Sequence, residues 1–89
     1  MEFGWHPAKR DKTLAERDVD FEDMVAGFID PRRIVVPDTR KDYGEARYNM
    51  LADCEGRLFH ITYTVRGEMT WIISARKANK REQRRYAQG

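Results

Sequence analysis

Three arginines in the second half of the chain could bind a phosphate group. Arg47, Arg66 and Arg76 fall in or at the ends of segments in which apolar and polar residues alternate. A guanidinium group binds phosphate oxygens through two parallel hydrogen bonds and stays charged at any physiological pH. If these segments pair as strands, all three arginines share one sheet face, on which we expect no acidic side chain. The pattern predicts a cationic surface for a ligand that carries phosphates.

A basic segment continues that surface: residues 72–86 read IISARKANKREQRRY. A helix over about 77–87 would place like charges four positions apart, where they repel by a few tenths of a kcal/mol per pair. The two series are Arg76, Lys80 and Arg84, and Lys77, Arg81 and Arg85. A solvated helix would interleave the two signs, so we favour phosphate binding. Solubility alone and docking onto an acidic protein are the alternatives.

Other chemistry has less support. His60 could act as a general base, because an imidazole titrates near pH 6.5, although a lone histidine on a strand is more often structural. His6, His60 and the single cysteine, Cys54, lie far apart and lack metal-ligand spacing. Neither a glycine-rich phosphate loop nor a serine elbow is present. The sequence therefore predicts no metal site and no cofactor, and a structural role for Cys54.

Length and composition predict a single domain over residues 1–89. Charge is divided unevenly, since residues 1–45 carry eight basic and eleven acidic side chains and residues 46–89 carry nine and four. This asymmetry indicates an anionic partner for the second half. One cysteine excludes an internal disulfide, and no apolar run approaches the ~20 residues of a membrane span. We therefore expect a soluble cytoplasmic protein.

Periodicity predicts an α+β fold with the element order βααββββα. The predicted strands cover about 2–5, 34–36, 45–54, 57–66 and 70–76, and the predicted helices about 7–17, 20–29 and 77–87. In the second helix, apolar residues recur three and four positions apart from Phe21 to Ile29. We expect the two N-terminal helices to cover the apolar face of an antiparallel sheet, with the basic helix last.

Strand register follows from the side chains. A two-residue turn at Glu55-Gly56 aligns Met50 with Ile61 and makes one face apolar. A two-residue turn at Gly67-Glu68 would put Trp71 and Ile73 on the polar face, so we prefer a three-residue loop from Gly67 to Met69. The predicted core is Phe21, Met24, Phe28, Met50, Ile61, Val65, Trp71 and Ile73.

The order of motifs along the chain resembles one family. FGWHPAK, FEDMVAGFIDP, YTVRG and WIISARKANKREQRRY together resemble the BrnT toxins, which are RelE-like ribonucleases of bacterial type II toxin–antitoxin systems. The resemblance covers nearly the whole chain, and the ISAR segment with its basic helix is the most specific part. It implies a RelE-like fold and a metal-independent RNA endonuclease that inhibits translation.

The resemblance also implies partners and site residues. The expected partner is a BrnA-type antitoxin with a ribbon-helix-helix domain, and operator DNA would be bound only through that antitoxin. The matching positions are Lys9, Arg66, Ser74 and Arg76. The family usually has an asparagine and a Lys-His pair where this chain has Thr13 and Arg17-Asp18.

A mechanism can be outlined for these residues. Arg66 and Arg76 would stabilise the charge that develops on the phosphate, and Ser74 would orient one of its oxygens. His60, Tyr63 and Lys9 are the candidates for acid and base. The predicted RNA-binding set is Arg47, Lys77, Lys80, Arg81, Arg84 and Arg85. The alternatives are a non-catalytic module whose basic helix holds nucleic acid, and a protein-interaction domain.

Overall fold

Five strands, three α-helices and one 3-10 helix make up the computed structural model, which describes residues 1–89. The strands are β1 (Glu2–Gly4), β2 (Ile34–Pro37), β3 (Arg47–Cys54), β4 (Arg57–Arg66) and β5 (Met69–Lys77). The α-helices are α1 (Pro7–Arg17), α2 (Phe21–Met24) and α3 (Lys80–Gln88), and a 3-10 helix over Val25–Ile29 continues α2.

The strands form one sheet in the order β1-β5-β4-β3-β2. The fold is α+β, but the sheet is mixed rather than antiparallel, because β1 pairs in parallel with β5. Gly4 permits this pairing, since a Cβ atom at that position would lie 2.8 Å from Met69 Sδ and 2.9 Å from the Trp71 ring. The other three strand pairs are antiparallel.

The β3–β4 register is the predicted one, with Met50 opposite Ile61 and Ala52 opposite Phe59. The prediction for the β4–β5 turn was wrong. The turn has two residues, and a β-bulge between Thr62 and Tyr63 shifts the register so that Ile72, not Ile73, lies opposite Tyr63. A bulge inserts one residue into a strand and so reverses the side-chain alternation beyond it.

The bulge changes the core. Ile72 is buried, while Trp71 and Ile73 are partly exposed and Val65 is 55% exposed, so these last three predicted core positions were wrong. The other five predicted core residues are buried. The cluster that α2 and the 3-10 helix form with the sheet consists of Val19, Phe21, Met24, Phe28, Met50, Ala52, Cys54, Phe59, Ile61, Ile72 and Ala75.

The second predicted helix is α-helical for one turn only. In the 3-10 segment that follows, Gly27 packs closely on β3, where a Cβ atom would lie 2.9 Å from Ala52 Cβ. A 3-10 helix turns further per residue than an α-helix, which moves the last residues off the expected face. Ile29, predicted on the apolar face, is therefore 83% exposed.

Helix α1 is fixed at both ends. Arg10 donates two hydrogen bonds to the Asp20 carboxylate, at 2.7 and 2.9 Å, and so joins α1 to the N-cap of α2. Arg17 donates to the Ala75 carbonyl on the stretch of β5 that β1 leaves unpaired. None of the helices is long and apolar enough to cross a membrane.

Candidate active site

The sheet face opposite the core carries three rows of side chains across β3, β4 and β5. The rows are Arg47, Thr64 and Trp71; Asn49, Thr62 and Ser74; and Leu51, His60 and Arg76. We call this the polar face. Its centre is not open, because Thr62 and Thr64 are buried, and so the expected continuous cationic surface is divided between two ends.

Arg66 and Arg76 lie at opposite ends of the polar face. Arg66 is opposite Met69, whereas Arg76 is opposite His60. His60 and Arg66 are six positions apart on β4, which corresponds to roughly 20 Å at the rise of a strand. The structure therefore does not bring the two arginines to one phosphate group. Ser74 lies between them, opposite Thr62.

A cavity of about 440 Å³ opens at the Arg66 end, and we call it the cationic cavity. Its lining consists of His6, Ala8, Lys9, Lys12, Arg47, Arg66, Trp71, Ile72 and Ile73. The N-terminal turns of α1 supply the two lysines, and the polar face supplies the two arginines. Four cations thus surround one cavity, and Lys9 and Arg66 of the predicted catalytic set are both among them.

One carboxylate contacts the arginines of this cavity. Arg66 donates two hydrogen bonds to Glu45, both at 3.1 Å, and its guanidinium lies 5.0 Å from the centre of the Trp71 ring. The hydrogen bonds and the charge of Arg66 lower the pKa of Glu45. Arg47 Nε is buried without a hydrogen-bond acceptor, 3.7 Å from Glu45 Oε2. An unsatisfied buried donor beside a cavity favours an anionic ligand there.

Glu45 belongs to the loop between β2 and β3, residues 38–46, which has an ordered centre. The Asp38 side chain is inaccessible and accepts hydrogen bonds from Arg40 Nε and Nη2, at 2.9 and 2.8 Å. Arg40 lowers the pKa of Asp38 to about 2. The Tyr43 ring lies 4.0 Å from the Arg47 guanidinium. The loop therefore positions Arg47 and Glu45 at the cationic cavity.

At the other end of the polar face, Glu82 holds Arg76. Arg76 Nη1 and Nη2 donate to the two Glu82 carboxylate oxygens at 2.8 and 2.9 Å. Glu82 also accepts from the Asn79 backbone N–H, and together these donors lower its pKa to about 2. The three strand rows of the polar face include no acidic side chain, as expected, but carboxylates from outside the strands, Glu45 and Glu82, pair with its arginines at both ends. Arg76 joins β5 to the start of α3.

His60 lies beside this pair. Burial, followed by the charge of Arg76, lowers its pKa, so the imidazole is neutral at pH 7. It lines a separate cavity of about 210 Å³ with Asn49, Glu82 and Arg85. Tyr63 is on the core face, where its ring stacks on Tyr48 at 5.4 Å. Of the three acid–base candidates, Lys9 alone lines the cationic cavity.

Helix α3 begins later than predicted. Asn79 accepts a hydrogen bond from the Glu82 backbone N–H while the Glu82 side chain accepts from Asn79, which is a capping box. Arg76 and Lys77 consequently belong to β5, and the predicted charge series that included them was wrong. The four remaining cations are exposed and form no ion pair: Lys80, Arg81, Arg84 and Arg85.

Several site residues escaped the sequence reasoning. The Asn-x-x-Glu spacing at 79–82 is a readable capping signal that would have placed Glu82 at the start of α3. The contact between Glu45 and Arg66 has no such signal, because it depends on the loop conformation. Trp71 lies on the polar face because the β-bulge shifts the register of β5, and the sequence carries no signal for this bulge.

The single cysteine lies outside the lining of the cationic cavity, and the chain has no cluster of metal ligands. Cys54 is buried against Met24 and Gly27, and burial raises its pKa to about 11. Such a thiol is protonated at neutral pH and unreactive. No group of three or more His, Cys, Asp or Glu side chains converges in a way that could hold a metal ion.

A protein-family model matches this chain. The model of the family described as "Ribonuclease toxin, BrnT, of type II toxin-antitoxin system" matches residues 5–82. A comparison with curated proteins finds no match. The matched range begins at Trp5, the residue before His6, and ends at Glu82, the partner of Arg76. It therefore spans nearly all of the residues described above, and the chain belongs to the BrnT family of ribonuclease toxins of type II toxin–antitoxin systems.

Proposed function

We propose that this toxin is a metal-independent, RelE-like endoribonuclease that inhibits translation by cleaving RNA, and that the scissile phosphate binds in the cationic cavity. The observation that carries the proposal is the convergence of Lys9, Lys12, Arg47 and Arg66 on one cavity. A single carboxylate, Glu45, pairs with the two arginines. Fixed cations next to a developing phosphorane stabilise the transition state without a metal.

Arg66 is the main phosphate ligand in this proposal. Its side chain is 50% exposed, and its two donors already hold a carboxylate, which has nearly the geometry of two phosphate oxygens. Glu45 thus marks the position where RNA would bind. Arg47, whose Nε has no acceptor, is the second ligand.

Lys9 and Glu45 are assigned the proton transfers. The 2′-oxygen attacks the phosphorus and its proton passes to the Glu45 carboxylate. The bond from phosphorus to the 5′-oxygen breaks, and that oxygen takes a proton from the Lys9 ammonium group. The products are a 2′,3′-cyclic phosphate and a 5′-hydroxyl. Glu45 is suited to the first transfer because it is ionised in the free protein. Once the phosphate has replaced it on Arg66, its oxygens are free to accept the proton.

The other predicted residues lie away from the cationic cavity. Ser74, Arg76 and His60 lie on the polar face toward α3, roughly 20 Å from the cavity at the far end. The exposed cations of α3 would bind phosphates there, with a contribution that falls as salt rises. We assign Arg76 to positioning α3, because Glu82 occupies both of its donors.

Single-turnover cleavage of a labelled RNA in EDTA tests the proposal. Arg66→Ala should lower the rate about 30- to 1000-fold, and Arg66→Lys should recover part of it, because a point charge cannot replace the bidentate fork. Glu45→Gln should also slow cleavage. Arg57→Ala is the matched control: it changes an arginine of the same strand that lies at the β3–β4 turn and forms no ion pair.

Three results would contradict the proposal. Cleavage that requires a divalent metal would show that the mechanism is not metal-independent. A normal cleavage rate in folded Arg66→Ala would show that the cationic cavity is not the active site. RNA binding without cleavage by the parent protein would leave the second candidate, a non-catalytic module that binds nucleic acid through α3. The four unpaired cations of that helix are the observation that favours this second function.

A further inference from the structure

His6 lines the cationic cavity beside Lys9 and Lys12, and no role has yet been assigned to it. It is the N-cap residue of α1, the helix that supplies both lysines. Its Nδ1 atom accepts a hydrogen bond from the Ala8 backbone N–H at 3.2 Å. Aspartate, asparagine, serine and threonine are the usual residues at such a position, and here an imidazole takes their place.

This cap determines which ring nitrogen can face a ligand. Accepting the Ala8 hydrogen requires a lone pair on Nδ1, so the neutral imidazole carries its own hydrogen on Nε2. Nε2 makes no hydrogen bond within the chain, and it is the remaining polar atom of a ring that lines the cavity. In this form His6 cannot accept a proton at Nε2, but it can donate a hydrogen bond from it.

The backbone of α1 offers no competing donor. The Lys9 and Arg10 amides both donate to the His6 carbonyl, at 3.0 and 3.1 Å, and Pro7 has no N–H. The Ala8 amide is used by the cap itself. The first turn therefore presents one neutral donor to the cavity, the His6 Nε2–H, among four charged ones.

We propose that His6 is a further catalytic residue, whose neutral Nε2–H donates a hydrogen bond to a non-bridging oxygen of the scissile phosphate. This inference rests on the proposed function. The donor is fixed by its cap and strengthens as charge builds on that oxygen in the phosphorane. No proton is transferred through His6, which separates its role from those of Lys9 and Glu45.

The matched variants are His6→Asn and His6→Ala. Asparagine keeps a good N-cap but its short amide does not extend as far as Nε2, so folding should be retained while the donor is lost. Alanine loses both, and should also lower the melting temperature. We expect single-turnover cleavage by His6→Asn to be about 100-fold slower than by the parent protein, with little change in RNA affinity.

Sulfur substitution supplies a readout that a structural role would not move. Replacing one non-bridging oxygen of the scissile phosphate by sulfur weakens the hydrogen bond to it. The parent protein should cleave one phosphorothioate diastereomer more slowly than the other, and His6→Asn should lose that difference. A parent-like rate and a parent-like diastereomer difference in His6→Asn would overturn the inference while leaving the proposed function intact.

The tautomer can be measured without any variant. The ¹⁵N chemical shifts of the His6 ring in the parent protein should show hydrogen on Nε2 and none on Nδ1 at neutral pH. The opposite tautomer would overturn the inference even if His6→Asn failed to fold. If the parent protein cleaves no RNA at all, the proposed function and this inference both fail.

Discussion

At the scale of single residues, the two bidentate arginine–glutamate pairs differ in how easily they can open. Glu45 is held by side chains, mainly by Arg66, which lines the cationic cavity. Glu82 is held by Arg76 and also by the backbone of Asn79, and 18% of its side chain is exposed. A phosphate can therefore replace the first carboxylate at less cost than the second. This difference is why we place binding at Arg66 and support of the fold at Arg76.

The ion pair between Arg76 and Glu82 should make the stability of the fold depend on pH in the acidic range. The pKa of Glu82 is about 2 in the folded protein against 4.5 as its ordinary value, so its contribution is present above pH 4.5 and is lost as the pH falls toward 2. Urea unfolding should show that the free energy of unfolding of the parent protein falls between pH 7 and pH 3. In Glu82→Gln this fall should be about 1 kcal/mol smaller. Glu68→Gln, which changes an exposed turn residue without hydrogen bonds, is the control. Equal losses in the parent and Glu82→Gln would show that the pair contributes nothing to acid stability.

At the scale of elements, a feature of the fold could be predicted from the sequence where many residues of the same pattern indicate it. The β3–β4 register was predictable because alternation along both strands agrees with a tight turn over eight residue pairs. The β5 bulge was not, because a single inserted residue is chosen by packing: it buries Ile72 and moves Trp71 to the cavity. The cavity therefore could not be assembled from sequence, although two of its lining residues, Lys9 and Arg66, were among the predicted site residues.

The start of α3 gives the element-scale prediction. Asn79→Ala removes the acceptor for the Glu82 N–H and half of the capping box, and should lower the free energy of unfolding by about 1 kcal/mol. Asn79→Ser keeps an acceptor and should remain close to the parent protein. The measurement is urea unfolding followed by circular dichroism. If Asn79→Ala and Asn79→Ser unfold at the same urea concentration as the parent, α3 does not depend on this cap.

At the scale of the whole molecule, the cations lie on connected parts of one side of the chain. The cationic cavity, the polar face and α3 are joined through β4 and β5, and the basic excess of residues 46–89 is concentrated there. A type II toxin has an antitoxin partner as well as an RNA substrate. Both partners would use this side if the antitoxin acts by covering the site, and an acidic antitoxin segment would then imitate the RNA backbone.

We therefore expect the antitoxin to bind through charge. Its affinity for the toxin should fall when the NaCl concentration rises from about 0.1 M to about 1 M. Over that range the screening length shortens from about 10 to about 3 Å. Replacing the four α3 cations by glutamate (Lys80, Arg81, Arg84 and Arg85) should weaken the complex and reduce this salt dependence. Arg66→Glu tests the cavity separately, and Arg57→Glu is the control for a charge reversal elsewhere on β4. Co-purification at both salt concentrations measures these effects. A complex that tolerates the α3 and Arg66 reversals at low salt would place the antitoxin on another surface, and neutralisation would then occur without covering the cavity.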